Sequence, residues 1–254
     1  LENVTVRPLS FYKELTESTR LRQQHGFFLV EGRRATDQII AAGVDVDEIL
    51  VCEADSHFQT EFPRRILTGR QFKSICTSKT PAGIAAVIKL PALVYSDRLP
   101  EEEIVLNSPR LLLLDGVQDP GNVGTLVRTA VAFGYGGVIM SDSCADPFSP
   151  KAIQASAGSV LSLWIRRTGK YLECAADVKR RKYDLVAADV RGEALSGAIK
   201  APHMLLFGSE GNGLSEKTLA LADWKLRIPI NHQNIESLNV AVSGAIMMFL
   251  GRNS

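Results

Sequence analysis

Along the second half of the chain, short runs of consecutive apolar residues alternate with longer stretches whose apolar positions recur every three or four residues. The short runs predict strands near 111–114, 137–141, 160–165, 184–189, 204–207 and 226–230, with helices between them. Such alternation predicts an α/β domain built on a parallel sheet covered on both faces, of the doubly wound kind. The first half reads as a smaller α/β unit. A polar helix over 8–24 leads into the buried strand Phe27-Phe28-Leu29-Val30, and a helix over 33–42 ends at Gly43. Glu48 to Cys52, Arg65 to Leu67 and Gly83 to Leu90 are further strands, with a helix over 69–76. Pro91, Pro100, Glu101-Glu102-Glu103 and Asn107-Ser108-Pro109 suit neither strand nor helix interiors and predict a linker. The expected organisation is therefore an amino-terminal unit over 1–92, a linker over 93–109 and a carboxyl-terminal domain over 110–254.

Three strands of that second domain run straight into loops rich in Gly, Asn, Ser and Glu. Leu111 to Leu114 enters Asp115-Gly116-Val117-Gln118-Asp119-Pro120-Gly121-Asn122; Leu205-Leu206-Phe207 enters Gly208-Ser209-Glu210-Gly211-Asn212-Gly213-Leu214; Ile228-Pro229-Ile230 precedes Glu236-Ser237-Leu238-Asn239-Val240. Parallel α/β sheets bind ligands at the carboxyl ends of their strands, so these three junctions mark the expected site. In the helix over 123–133, Val123, Leu126, Val127, Ala130 and Val131 form one apolar stripe, which leaves Arg128 outside it and free to project. Asn122 fits the helix N-cap, and Ser237 fits the N-cap of the last helix. That last helix is apolar nearly all round, with Leu238, Val242, Ala245 and Phe249 reading as core, and is expected to be buried on more than one side.

Composition narrows the classes. With 254 residues, 45% hydrophobic and 22% charged, the chain is an ordinary globular protein rather than a disordered or fibrous one. Its longest apolar run, Val240 to Leu250, is far short of the roughly 20 residues that span a bilayer. No secretory signal is visible, and a start at Leu1 without Met suggests a trimmed chain, so a cytoplasmic location is expected. Cys52, Cys76, Cys144 and Cys174 have neither disulfide-framework nor zinc-ligand spacing, and no metal is expected. A net charge of +1 confines nucleic-acid contact to local patches. The candidates are Arg20 with Arg22, Arg33-Arg34, Arg64-Arg65 with Arg70 and Lys73, Arg166-Arg167 with Lys170, and Lys179-Arg180-Arg181-Lys182. Each could equally be a solvated face.

The glycine-rich loop is not the Gly-x-Gly-x-x-Gly of dinucleotide binders and lacks the Walker lysine, so a nucleotide-dependent oxidoreductase finds no support. Taken together, the motifs resemble the SpoU/TrmH family of S-adenosylmethionine-dependent RNA ribose 2′-O-methyltransferases. The first motif is Asn122, Gly124, Arg128-Thr129-Ala130 and Phe133-Gly134; the second is Gly208-Ser209-Glu210-Gly211 with Gly213 and Leu214; the third is Ile228-Pro229 followed by Ser237-Leu238-Asn239-Val240. Phe28-Leu29-Val30-Glu31-Gly32 matches the opening of the amino-terminal RNA-binding domain that members commonly carry.

This resemblance implies a deep trefoil knot in the carboxyl-terminal domain, which chain periodicity alone would not predict, and a homodimer. It implies transfer of a methyl group from S-adenosylmethionine to a ribose in structured RNA, with ribosomal RNA favoured over transfer RNA. It gives reaction-centre roles to Arg128, Asn122, Glu210, Ser237 and Asn239, and places Gly208, Ile228 and Leu238 against the cofactor. Ser156, Arg33 and Arg34 are weaker candidates for substrate contact. The loop Asn231-His232-Gln233-Asn234 lacks the glycine usual in the family and is one residue longer, and its His232 is a candidate base by residue type. A transfer-RNA methyltransferase and a non-catalytic RNA-binding relative are the remaining alternatives.

Overall fold

The computed structural model describes residues 7–252 except 42, 232 and 234. His232 therefore lies outside the described residues. The polar stretch at the start forms two helices, α1 (Leu9–Glu17) and α2 (Thr19–His25). Ser18 is extended between them, and its hydroxyl accepts from the Leu21 N–H, so one continuous helix is replaced by a corner with its own cap.

The elements β1 (Phe27–Glu31), α3 (Arg33–Ala41), β2 (Val46–Cys52), β3 (Arg64–Leu67), α4 (Gly69–Ile75) and β4 (Ile84–Lys89) follow. Their sheet has the order β1-β4-β2-β3; β4 is antiparallel to β1 and β2, while β2 and β3 are parallel. One face buries Leu29, Leu50 and Val87 against Tyr12 and Leu15 of α1 and Phe72 of α4. The other face presents Phe28, Val30, Ile49 and Ile88 to a core shared with the rest of the chain. Burial on both faces explains the unbroken apolar run in β1, since successive strand side chains point to opposite sides.

The segment expected to be a linker is packed. Val94 is buried and its carbonyl accepts from the Arg167 N–H at 2.7 Å. Residues 102–106 form α5 (Glu102–Leu106), which buries Val105 among Leu111, Leu113 and Ile139. Glu101 and Glu102 lie at the head of this helix, where negative charge suits the free N–H groups.

The larger part contains β5 (Arg110–Asp115), α6 (Pro120–Ala132), β6 (Gly137–Ser141), α7 (Pro150–Ser156), β7 (Trp164–Thr168), α8 (Tyr171–Arg180), β8 (Asp184–Ala194), β9 (His203–Gly208), α9 (Glu216–Leu221), β10 (Trp224–Arg227) and α10 (Val240–Gly251). The six strands are parallel throughout, in the order β10-β8-β9-β5-β6-β7. Leu112 and Leu114 face α6, α7 and α10, whereas Leu111 and Leu113 face α8 and α9. All four are fully buried, each contributing about 1.5–3 kcal/mol of hydrophobic stabilisation. Helices α6 and α7 approach closely because Gly124 has no side chain; a Cβ there would overlap the Ala152 carbonyl.

Two strands are displaced from their expected places. The strand expected at 160–165 starts at Trp164, after a single tight turn over Ser159–Leu161. The strand expected at 226–230 is the edge strand β10, which ends before Ile228-Pro229-Ile230 because Pro229 has no N–H to extend the ladder. Helix α10 buries Ala241, Gly244, Met247 and Met248, whereas Val242 and Phe249 are about half exposed, at 48% and 47% of full accessibility.

Candidate active site

Strands β5 and β9 pair in parallel so that Asp115 lies opposite Gly208, which brings the first and second motif loops together. Helix α6 begins earlier than the apolar stripe indicates. Asp119 is its N-cap and Pro120 its first residue, a position where the missing proline N–H costs nothing. The Asp119 carboxylate accepts from the Asn122 backbone N–H at 3.0 Å, so Asn122 is not the cap and its side chain is available for other partners.

Asn122 uses that freedom. Its Nδ2 donates to Glu210 Oε1 at 2.8 Å, and its Oδ1 accepts from Asn239 Nδ2 at 3.1 Å. Glu210 also accepts from the backbone N–H groups of Gln118 and Asp119 at 3.3 and 3.4 Å. Asn239, rather than Ser237, caps α10, its Oδ1 accepting from Ala241 and Val242. One side-chain web therefore ties all three motifs together.

Burial pushes the Glu210 carboxyl up, but hydrogen bonds from Asn122 and from the backbone outweigh it, and the group lies below its ordinary range. Asp119 is lowered too, by Lys151 and by the Asn122 N–H; Lys151 Nζ lies 2.6 Å from its carboxylate. Deeper in the sheet edge, Asp115 accepts from the Ser215 N–H at 3.0 Å and from the Thr218 hydroxyl at 2.6 Å. Burial opposes ionisation of Asp115, and these donors more than compensate. It buckles the far end of the glycine-rich loop to the central strand. The near end is closed by reciprocal backbone hydrogen bonds between Ser209 and Gly213 at 3.0 Å.

The loops enclose a cavity of about 620 Å³, a size suited to a small-molecule ligand. Gly208, Ile228, Ser237, Leu238, Asn239 and Glu210 all line it. Its wall combines backbone-rich glycine turns with the apolar Leu226, Ile228, Leu238 and Met247, so polar backbone groups and an apolar surface face the same space. Asp189 and Arg191 also line it and bind each other at 3.1 Å. Sequence reasoning missed them because it ended β8 at 189, whereas the strand continues to Ala194. Arg128 is exposed on α6, without a hydrogen bond or ion pair among the described residues, and is not part of the cavity wall. Arg33 and Arg34 are exposed at the head of α3, away from the cavity, with Arg33 stacked on Phe58 at 5.4 Å and paired with Asp37 at 3.7 Å. Ser156 is a correction: it is fully buried, and its hydroxyl donates to the Ile153 carbonyl within α7, so it presents nothing to a substrate. No cluster of three or more His, Cys, Asp or Glu side chains fit to hold a metal ion occurs among the described residues.

Several cations of the basic patches have partners within the protein. Arg22 is buried against Asp146. Arg64 donates to the Phe58 carbonyl at 2.6 Å, and Arg65 to Tyr12 and the Arg7 carbonyl. Arg166 holds the Arg98 carbonyl and Arg167 those of Cys144 and Asp142. Lys170 pairs with Asp97, Lys179 with Asp223, and Arg180 and Arg181 with Asp177.

The family model of the SpoU rRNA Methylase family matches residues 109–249. The chain belongs to this family. It is similar to the 23S rRNA (guanosine(2553)-2′-O)-methyltransferase RlmP of Bacillus subtilis, at 30% identity over 98% of this chain and 97% of that one. It also resembles the 23S rRNA (uridine(2479)-2′-O)-methyltransferase of Streptomyces viridochromogenes, at 31% identity over 68% of this chain and 60% of the relative. Among solved structures, the SpoU methyltransferase AviRb of Streptomyces viridochromogenes in complex with the cofactor AdoMet superposes with a TM-score of 0.82, at 25% identity and 95% coverage of both chains. SpoU membership covers the whole sheet and every residue of the web.

Proposed function

We propose that this protein transfers a methyl group from S-adenosylmethionine to a ribose 2′-oxygen of ribosomal RNA. The observation that carries this reading is the web Glu210–Asn122–Asn239, which joins the three SpoU motifs at the rim of one cavity. When bound, S-adenosylmethionine supplies an electrophilic methyl on a sulfonium, so the protein's task is to align a hydroxyl and ease loss of its proton. Gly208, Ile228 and Leu238 would hold the cofactor. The Arg128 guanidinium, which has donors and no acceptor, acts as a positive charge and double donor toward the developing alkoxide, not as an unaided base. Asn122, Glu210 and Asn239 keep the motif loops in register while Ser237 completes the polar rim.

The finer architecture of the reading follows the same family. The carboxyl-terminal segment would thread as a deep trefoil knot, and residues 1–92 would form an RNA-binding domain with Arg33 and Arg34 on its RNA face. The half-exposed Val242 and Phe249 of α10 support a homodimer through the larger domain, acting in the cytoplasm. The two rRNA relatives act on different bases, which suits recognition of the ribose rather than the base at the reaction centre.

The test is transfer of labelled methyl to unmodified ribosomal and transfer RNA, followed by mapping of the labelled nucleotide. Wild-type protein should label one ribose in ribosomal RNA, and Arg128→Ala should lower kcat about 100-fold, the scale of losing one transition-state donor, with cofactor affinity unchanged. Label found only in transfer RNA would replace the substrate, and cofactor binding without any transfer would leave a binding module.

A further inference from the structure

Arg22 of α2 and Asp146, in the loop between β6 and α7, are 124 residues apart and form an ion pair with both side chains at most 3% exposed. Arg22 Nε and Nη2 reach Asp146 Oδ2 at 2.9 and 2.6 Å, while Nη1 donates to the Leu15 carbonyl at 2.7 Å. The other carboxylate oxygen accepts from the Tyr95 hydroxyl at 3.1 Å and the Phe148 N–H at 2.9 Å. Three parts of the chain therefore meet at one carboxylate: the amino-terminal unit, the connecting segment and the methyltransferase domain. Beside it, Phe28 of β1 packs edge-on against Phe148 at 4.9 Å. Both charges are fully hydrogen-bonded, which satisfies the condition for burying them. A buried pair adds little net stability over an apolar contact of the same shape, but it has a direction that an apolar contact lacks.

The loop carrying Asp146 continues into α7, whose Lys151 binds Asp119, the cap of the helix bearing Asn122 and Arg128. A path of polar links and intervening backbone thus runs from the amino-terminal unit towards the reaction centre, ending in the surface pair Lys151–Asp119. We propose that the Arg22–Asp146 pair is a specificity-determining clamp: it fixes the distance between the RNA-holding surface of the amino-terminal unit and the ribose site, and so selects which nucleotide is methylated. Arg22 and Asp146 are positioning residues, acting through Tyr95, α7 and Asp119 and touching no reacting atom. The inference rests on the RNA-methyltransferase reading given above.

The test uses the full chain and two variants. The double replacement Arg22→Met with Asp146→Leu removes both charges without leaving one buried alone, and Tyr95→Phe removes a single hydrogen bond. Each is assayed for cofactor affinity, for kcat and KM with RNA, and for the map of methylated riboses. Distance distributions are read by pulsed electron resonance between spin-labelled unnatural amino acids at Glu61 and Lys217, which are exposed in the two units. The expected result for the double variant is cofactor affinity within twofold of wild type, a broadened distance distribution, a fall of at least tenfold in kcat/KM for RNA, and label at additional riboses. Tyr95→Phe should move in the same direction by a smaller factor. A folded double variant with the wild-type distance distribution, or one that labels the same single ribose at an unchanged kcat/KM, overturns the clamp. Wild-type protein that transfers no methyl overturns the acceptor reading instead, and the distance distributions then still decide whether the pair holds the two units in register.

Discussion

Asn239 Nδ2 donates to Asn122 Oδ1 across 3.1 Å, so the cap of the last helix is hydrogen-bonded to the first turn of α6. Because Asn122 passes its own donor on to Glu210, disturbing either end should be felt at the other. Asn122→Ala and Glu210→Gln are each expected to lower kcat/KM about tenfold or more. A double-mutant cycle should give a coupling of about 1–2 kcal/mol, as for residues sharing one network. Additive effects would show that the two side chains work independently.

The lowered pKa of Glu210 adds a pH signature. The folded-state carboxyl lies below its ordinary value, so its stabilising hydrogen bonds are fully present above about pH 4.5 and are lost as pH falls through the lowered folded value. Cofactor affinity measured by calorimetry should therefore be flat from neutrality to about pH 5 as far as Glu210 is concerned, and the Glu210→Gln variant should remove the loss seen at lower pH.

The Asp115 carboxylate holds the glycine-rich loop at its far end, through Ser215 and Thr218. Asp115→Asn turns one acceptor into a donor facing those groups and should cost about 1–3 kcal/mol of stability. Cofactor binding should become about tenfold weaker, while RNA affinity holds. Thr218→Ser, which keeps the hydroxyl, should bind cofactor nearly as wild type does, and Thr218→Val should resemble Asp115→Asn.

Two glycines of the same loop should behave oppositely. A Cβ at Gly208 would overlap the carbonyl carbon of Gly213 and the amide nitrogen of Leu214, both backbone atoms that cannot swing aside, whereas a Cβ at Gly211 meets nothing. Gly208→Ala is expected to weaken cofactor binding by more than tenfold and Gly211→Ala by less than twofold. Equal effects would mean that the closed form of the loop is not the binding form.

His203 is fully buried on β9, with Tyr135 Oη 2.8 Å from its Nε2 and the Lys200 carbonyl at Nδ1. Burial lowers its pKa to about 4, outweighing the Lys200 carbonyl. The unfolded chain, with an ordinary histidine near 6.5, binds the proton first. Stability should thus be constant above about pH 6.5 and decline by roughly 3 kcal/mol on acidification to about pH 4. Thermal melts across that range would check it, because a histidine protonated in the folded state gives no such slope.

Much of this arrangement was legible in the chain. Fully buried parallel strands such as Leu111–Leu114 read as unbroken apolar runs, and the three motif loops stand where those strands end. Helix beginnings were harder, because the stripe starting at Val123 marks where α6 meets the core and not where Asp119 caps it. Ser156 matched a motif neighbourhood, yet its environment is set by the tight α6–α7 packing over Gly124, a tertiary fact with no local signature. The same holds for Arg22, whose partner is 124 residues away, and for Asp189, whose place in the cavity follows from the extra length of β8.

The inward use of guanidinium groups sets how the protein should respond to salt. Arg22, Arg65, Arg166 and Arg167 are internal cross-links that tie down carbonyls and a carboxylate. Those four act within the protein, whereas Arg20, Arg33, Arg34, Arg70, Lys73 and Lys182 stay exposed, and each phosphate neutralised contributes a slope of roughly one to the logarithmic dependence of affinity on salt. The slope measured for RNA binding should accordingly report how many of the exposed cations meet phosphate, with the inward-facing four adding nothing to it.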